Sequence, residues 1–285
     1  MKRGLKAWLH RHGRLELAEE LYFNLRTLSP GTLYRELRYR AWDAPDGYPV
    51  PPARLIKAVI ASRWNAVYFD SGKRIMEDMA DALAQHGLGF ASFRAILDFG
   101  CGCGRLVRHL DRRTDAALYG SDYAPELVQW CQKHLPIGTF VVNGAEPPLP
   151  FDANTFDFIY ARSVFTHWPE PVQLRWMNEL RRVLFPGGYL LFTMHGRPLS
   201  HGLASEERAL FEANELVVRY ATDSGRNLCS SYASRAYVDR KLMDGFERVA
   251  FIEGRPIEHL RQDIHLVRRA AETTAPQPAL RNEPP

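Results

Sequence analysis

Hydrophobic and polar positions change their period part-way along the chain. Leu5, Trp8, Leu9 and His12 fall at i, i+3, i+4 and i+7, with Lys2, Arg3, Lys6 and Arg11 largely off that stripe. This spacing predicts an amphipathic helix over residues 2–12, and Leu17, Leu21, Leu25 and Leu28 predict a second over 14–28. Ser29-Pro30-Gly31 reads as the stop of that second helix. A loop rich in proline and aromatics, 42–52, leads to helical stretches over about 55–63 and 73–85, the latter halting before Gly87 and Gly89. From residue 94 short apolar runs alternate with helical ones, the signature of an α/β sheet. The predicted strands are 95–99, 117–121, 140–143, 156–161, 189–194, 246–252 and 264–268, with helices beginning near Gly104, Pro125 and Pro171. Only a short loop joins the last two strands, so they are expected as an antiparallel pair at the end of the sheet. There is no internal repeat. Three regions result: a helical cap over 1–90, an α/β domain over 91–270, and a tail over 271–285. The tail holds four prolines and little apolar material and is expected to be disordered.

Composition adds little to that picture except in its distribution of charge. Of 285 residues 46% are hydrophobic and 25% charged, which is ordinary for a globular protein with a sizeable core. The net charge is +4, but residues 1–40 hold nine Lys or Arg against four Asp or Glu, while the remainder holds 28 against 29. With a neutral body, the overall basicity says nothing about nucleic-acid binding by the body itself, and any electrostatic partner is expected to meet the N-terminal arm. Basic residues opposite Leu5, Trp8 and Leu9 suit weak attachment of residues 1–13 to an anionic membrane surface, and equally a helix packed on its own domain. No apolar run reaches the eighteen or so residues that span a bilayer, and Lys6 and His10 interrupt any leader-like core, so a cytoplasmic location is expected. Cys101, Cys103, Cys131 and Cys229 fit neither a disulfide framework nor a zinc spacing, and His195 and His201 lack a neighbouring carboxylate, so no metal is expected.

The chemistry concentrates in Ile96-Leu97-Asp98-Phe99-Gly100-Cys101-Gly102-Cys103-Gly104-Arg105, a strand running into a glycine-rich turn. Glycines there let the backbone turn tightly and approach a ligand closely, and a following helix N-terminus would offer N–H groups to an anion. A dinucleotide site needs a third glycine where Arg105 stands. The pattern is instead D-x-G-x-G-x-G.

Residues 98–105 resemble motif I of the class I S-adenosylmethionine-dependent methyltransferases. Gly120-Ser121-Asp122 ends the next strand where that family carries an acid for the ribose hydroxyls, and Asn143-Gly144-Ala145 follows the third strand where its backbone meets adenine. Leu149-Pro150-Phe151, Thr155-Phe156-Asp157 and the Arg-Arg-Val-Leu-Phe-Pro-Gly-Gly run at 181–188 resemble the family's approaches to the fourth and fifth strands. The likeness covers 94–195 well and the final strands loosely. It implies a doubly wound, Rossmann-like sheet of seven strands with antiparallel last strands and an N-terminal helical cap. It also implies S-adenosylmethionine as cofactor, held by Asp98, Gly100, Cys101, Gly102, Gly104, Asp122, Tyr123, Asn143, Gly144, Ala145 and Arg162. The family often places an aspartate near position 145 for the adenine amino group; Asn143-Gly144-Ala145-Glu146 leaves that recognition to backbone.

Methyl transfer to a hydroxyl needs a base, and His167 in Ser163-Val164-Phe165-Thr166-His167-Trp168 follows the fourth strand, at the sheet end where α/β active sites lie. A structural role for that histidine stays open, since similar methyltransferases frequently carry one there for structure. Asp70, in Phe69-Asp70-Ser71-Gly72, reads as a helix cap or an acceptor contact. The segment 227–237 resembles the insertion of small-molecule and sugar-directed methyltransferases, which makes Tyr232, Arg235 and Tyr237 candidates for the acceptor pocket. Base-methylating relatives often carry an Asn/Asp-Pro-Pro-aromatic run where this chain has Ala161-Arg162-Ser163-Val164. A small molecule or glycan methylated on oxygen, rather than nucleic acid, is therefore the expected acceptor. A noncatalytic cofactor-binding or scaffold protein, docked through its basic arm, is the alternative.

Overall fold

The computed structural model describes residues 29–41, 44–60, 62–225, 229–255 and 262–271, together with scattered positions before residue 26. Most of the two helices expected over 2–28, and the tail beyond 271, lie outside the described residues.

Seven strands form one sheet: β1 (Ala95–Phe99), β2 (Ala117–Asp122), β3 (Thr139–Val142), β4 (Phe156–Ala161), β5 (Leu184–Met194), β8 (Phe246–Ile252) and β9 (Asp263–Arg269). A separate antiparallel hairpin, β6 (Val217–Arg219) and β7 (Ser230–Tyr232), sits in the insertion after β5. The sheet order is β3-β2-β1-β4-β5-β9-β8. The first five strands pair in parallel, and β9 runs antiparallel between β5 and β8. The antiparallel pair is thus where it was expected, with the later strand slotted inside the earlier one.

Strand alternation divides the core between two faces. Ile96, Phe158, Tyr160 and Leu266 point to one face, and Leu97, Ile159, Ala161 and Val267 to the other. The first face is covered by α3 (Asn65–Ala84) and α4 (Pro125–His134) through Met76, Met79, Leu83, Val128 and Cys131. The second is covered by α5 (Glu170–Val183) and α8 (Arg235–Lys241) through Trp176, Leu180, Val183 and Tyr237. The helical cap therefore shares one continuous core with the sheet.

Four expectations about elements change. Ser29-Pro30, read as a stop, also opens a helix: α1 (Pro30–Ala41) takes Ser29 as its cap, with the Thr32 N–H donating to Ser29 Oγ at 3.0 Å. The stretch expected over 55–63 is α2 (Ala53–Ile60), and α3 begins two turns earlier than residue 73. Asp70 consequently lies inside α3, where it pairs with Arg35 at 2.7 Å and accepts from the Tyr39 hydroxyl at 3.4 Å, and it caps nothing. No α-helix follows Gly104. The chain makes turns and one 3-10 turn, Val107–His109, because Arg108 is drawn into the cap. Its fully buried guanidinium pairs with Asp46, donates to the carbonyls of Tyr48 and Pro49, and lies 4.8 Å from the Phe69 ring. That cluster ties the loop after α1 to the segment behind the glycine turn.

Candidate functional site

A cavity of about 1030 Å³ opens at the carboxyl ends of the parallel strands. Gly100 follows β1, Asp122 ends β2, Asn143 follows β3, Arg162 follows β4 and His195 follows β5, and all five line it. The volume lies at the top of the range of about 300–1,000 Å³ usual for a small-molecule site. Chains reverse at this sheet end, and β1 and β4 diverge to β2 and β5, which makes the crevice a consequence of the topology.

The glycine turn forms the floor. Gly100, Gly102 and Gly104 have φ of 82°, 56° and 77°, in the left-handed region that side chains resist. A Cβ on Gly102 would stand 2.7 Å from Val59 Cγ2 of α2, and one on Gly104 would stand 2.3 Å from Leu135 Cδ1. Asp122 fastens the turn to β2: its Oδ2 accepts the Gly102 N–H and its Oδ1 the Ala124 N–H, each at 2.9 Å. Burial raises the Asp122 carboxyl, and these N–H groups work against that rise.

Around this floor several buried polar atoms are left without hydrogen-bond partners: Asp98 Oδ2, Arg105 Nε, Ser121 Oγ and Asn143 Oδ1. Leaving such groups unpaired costs free energy; Arg105 and Asn143 line the cavity, where a polar ligand would satisfy them, whereas Asp98 and Ser121 are not part of its lining. Asp98 is not on the wall itself; it is buried behind the turn and pushed up to about 7, chiefly by desolvation, with Tyr160 and Arg105 lowering it. A zwitterionic or polyhydroxylated molecule fits this donor and acceptor set. Gly100, Cys101, Gly102, Asp122, Tyr123, Asn143, Gly144, Ala145 and Arg162 all line the cavity, whereas Gly104 packs behind the turn against Leu135 and Cys131.

The opposite wall carries the titratable groups. His167 Nδ1 lies 2.7 Å from the Cys229 carbonyl oxygen. A carbonyl accepts only, so Nδ1 carries the hydrogen and Nε2 keeps a lone pair. Burial lowers the His167 pKa and keeps the ring neutral. His195 stands with its ring centroid 6.4 Å from that of His167 and nearly perpendicular, pushed down to about 3 by burial and by His167 and Arg162 nearby. Arg162, lowered to about 9 by burial, donates to Ser163 Oγ at 3.1 Å and Thr193 Oγ1 at 3.2 Å and also bonds Gln262. Phe99, Trp168 and Trp176 back the wall, the two indoles stacked at 5.7 Å.

The expected acceptor residues are elsewhere. Tyr237 is buried in the second core face, its hydroxyl donating to Glu170 Oε2 at 3.0 Å. Arg235 is the first residue of α8, on the surface, paired with Asp239 and set over Phe251, while Ser234 caps the helix. Tyr232 lies behind His195 with ring centroids 5.0 Å apart, and does not reach the cavity. Hairpin pairing with β6 fixes Tyr232, and helix periodicity turns Tyr237 inward, so the likeness of sequence placed the insertion without placing its side chains. Sequence reading missed two contributors: α2, whose Lys57 and Val59 line the cavity, and His195, which considered as a metal ligand was set aside. His195 directly follows β5, and the rule that active sites lie at strand carboxyl ends would have found it. Nothing local marks α2. Among the described residues no group of three or more His, Cys, Asp or Glu could hold a metal ion.

A family model described as a methyltransferase domain matches residues 97–192. The Mus musculus protein named arginine-hydroxylase NDUFAF5, mitochondrial, is 29% identical over 123 residues, covering 43% of this chain and 35% of that protein. The fatty-acid O-methyltransferase of Mycolicibacterium smegmatis is 33% identical over 122 residues, covering 42% and 43%. The chain thus matches well under half the length of these relatives. An S-adenosylmethionine-dependent methyltransferase from Mesorhizobium loti shares the fold, with a TM-score of 0.52 at 17% identity over 68% of this chain and all of that one.

Proposed function

We propose, from the methyltransferase-domain match over residues 97–192 and the shared fold, that the chain is a class I S-adenosylmethionine-dependent methyltransferase, and that it methylates an oxygen, in the first instance a hydroxyl, of a small-molecule or glycan acceptor. The observation that carries this reading is His167: a neutral imidazole on the cavity wall, with its tautomer set by the Cys229 carbonyl and Nε2 left as a base.

Bound S-adenosylmethionine supplies an electrophilic methyl carbon on a sulfonium, which leaves as a neutral thioether. The chain's part is to position and to move one proton. The backbone at Gly100, Cys101 and Gly102, the Asp122 carboxylate, Tyr123, Arg105, and the backbone at Asn143, Gly144 and Ala145 would hold the cofactor, with Asp98 supporting the turn from behind. His167 Nε2 takes the hydroxyl proton as the acceptor oxygen attacks, and the Cys229 carbonyl accepts the Nδ1 hydrogen of the imidazolium that forms. The Phe99, Trp168 and Trp176 wall keeps water from competing.

Two measurements test this. Incubation with methyl-labelled S-adenosylmethionine and pools of hydroxylated small molecules, saccharides and fatty acids is expected to release S-adenosylhomocysteine and to label an acceptor, with no competition from NADH. Because one relative is named for hydroxylation, the label itself must be followed. Cofactor binding without transfer to any pool would leave the noncatalytic reading in possession. Second, Asp122→Ala is expected to weaken cofactor binding by about 1–3 kcal/mol, roughly 5- to 150-fold, because both ribose hydroxyls and the Gly102 N–H lose their acceptor. Titration calorimetry that gives wild-type affinity would remove Asp122 from the site.

A further inference from the structure

Large hydrophobic side chains exposed to solvent are concentrated at one end of the chain. Among the described residues twelve are exposed, and eight of these lie between Trp8 and Leu37. On α1 they form a face: Leu33, Tyr34 and Leu37, at i, i+1 and i+4, are 46%, 67% and 60% exposed. The other face of α1 is committed to the protein. Thr32 and Glu36 are buried, Glu36 Oε2 accepts the Ala66 N–H at 2.9 Å, Arg35 pairs with Asp70, and the Tyr39 ring lies 5.3 Å from that of Phe69. The exposed face is therefore the one left over after the helix has docked.

We propose that the outer face of α1, with the apolar positions before it, docks this protein on an anionic phospholipid bilayer. Two observations select that occupant. Residues 1–40 carry nine basic against four acidic residues, while the rest of the chain is near neutral, so the apolar face belongs to the segment of the sequence that holds the chain's net positive charge. Apolar side chains set among cations are what an anionic interface attracts, and the combination is unfavourable for burial against a second copy with the same charge. The face also stands one helix from the cavity. α3, which carries α1 on one side through Ala66, Phe69 and Asp70, lines the cavity on another through Val67, Ser71 and Ile75. Docking through α1 brings the cap and the cavity to the lipid surface. Among the described residues no helix is long and apolar enough to cross a membrane, so the attachment is peripheral.

Bilayer binding stands apart from methyl transfer; only its consequence, access to a lipid-borne acceptor, rests on the proposed function. The full chain is sedimented with vesicles of equal phosphatidylglycerol and phosphatidylcholine, and with phosphatidylcholine alone. Binding to the anionic vesicles at low salt is expected, at least tenfold weaker on the neutral ones and in 0.5 M NaCl, where the Debye length falls to a few ångströms. The triple variant Leu33→Ser, Tyr34→Ser, Leu37→Ser is expected to lose at least tenfold in vesicle affinity while keeping its thermal midpoint and its calorimetric affinity for S-adenosylmethionine. A fluorophore on Leu37→Cys gives an independent reading, since the four native cysteines are buried; a blue shift on adding anionic vesicles is expected. No sedimentation at low salt, equal binding by the triple variant, an unshifted fluorophore, or a dimer in ultracentrifugation that the triple variant disperses would overturn the proposal. None of these results touches label transfer, so its failure and that of the catalytic reading remain separable.

Discussion

Gly102→Val is expected to abolish S-adenosylmethionine binding, with affinity falling more than a hundredfold in titration calorimetry. The cause differs from a side chain simply filling the ligand's place. At φ 56° any L-residue is strained by about 1–2 kcal/mol, and a β-branched one by more. The added Cβ would meet Val59 Cγ2 at 2.7 Å, so either the turn or α2 must move. If the turn moves, the Gly102 N–H leaves Asp122 Oδ2 and the carboxylate loses the bond that fixes it beside the cavity. If α2 moves, the wall carrying Lys57 and Val59 opens. Both routes damage the cradle, while the sheet beneath, paired strand to strand, keeps its far-ultraviolet circular dichroism. Gly89→Ala is the control: a Cβ there meets nothing within 4 Å, and both binding and stability are expected to stay put. Unchanged affinity in Gly102→Val would mean that the cofactor does not lie on this turn.

The same glycine turn shows why some of the fold was legible in the sequence and some was not. The strands of the main sheet were read almost to the residue because the central ones are buried on both faces, a constraint that every side chain of the strand repeats, whereas the short β6–β7 hairpin was not read. β5 was the partial exception. Its regular pairing with β4 begins at Tyr189, as expected, but residues from Leu184 already bridge to Phe156 across a register shift. Helix α3 was cut short because Phe69-Asp70-Ser71-Gly72 reads locally as a break. Gly72 is instead a point of close approach inside the helix: a Cβ there would stand 2.7 Å from the Arg105 carbonyl and 2.9 Å from His109 Nε2. That constraint comes from residues more than thirty positions away, which periodicity cannot register. The missing helix after Gly104 has the same origin, since Arg108 satisfies Asp46 and two carbonyls of the cap loop instead of extending a helix. The cavity floor was readable because three left-handed glycines and an acid form a local pattern. The contributions of α2 and Gln262 were not, because they reach the cavity only through the tertiary fold.

The decisive experiment on the chemistry is a pair of substitutions at His167. His167→Ala removes both the base and the hydrogen bond to the Cys229 carbonyl, so a loss of activity alone would not separate catalysis from support. Asparagine separates them: its side-chain amide occupies nearly the place of Nδ1 and can donate to that carbonyl, yet it offers no basic nitrogen. If Nε2 is the base, His167→Asn is expected to keep cofactor affinity and thermal stability while kcat falls by about 10²-fold or more, matching His167→Ala in rate but not in stability. The pH profile supplies a second reading. The neutral ring is the active form, and burial lowers its pKa from 6.5, so wild-type kcat is expected to be level through neutrality and to fall only on acidification below that value. His167→Asn is expected to lack this acid limb. Stability moves in the same direction, because histidines held neutral in the fold protonate first in the unfolded chain, and the stability present above pH 6.5 drains away as pH falls. Rates must therefore be taken under conditions where circular dichroism shows the fold intact. Near-normal turnover in His167→Asn, with the acid limb retained, would assign the histidine to holding the Cys229 segment and leave the proton to another acceptor, with His195 the next imidazole on the wall.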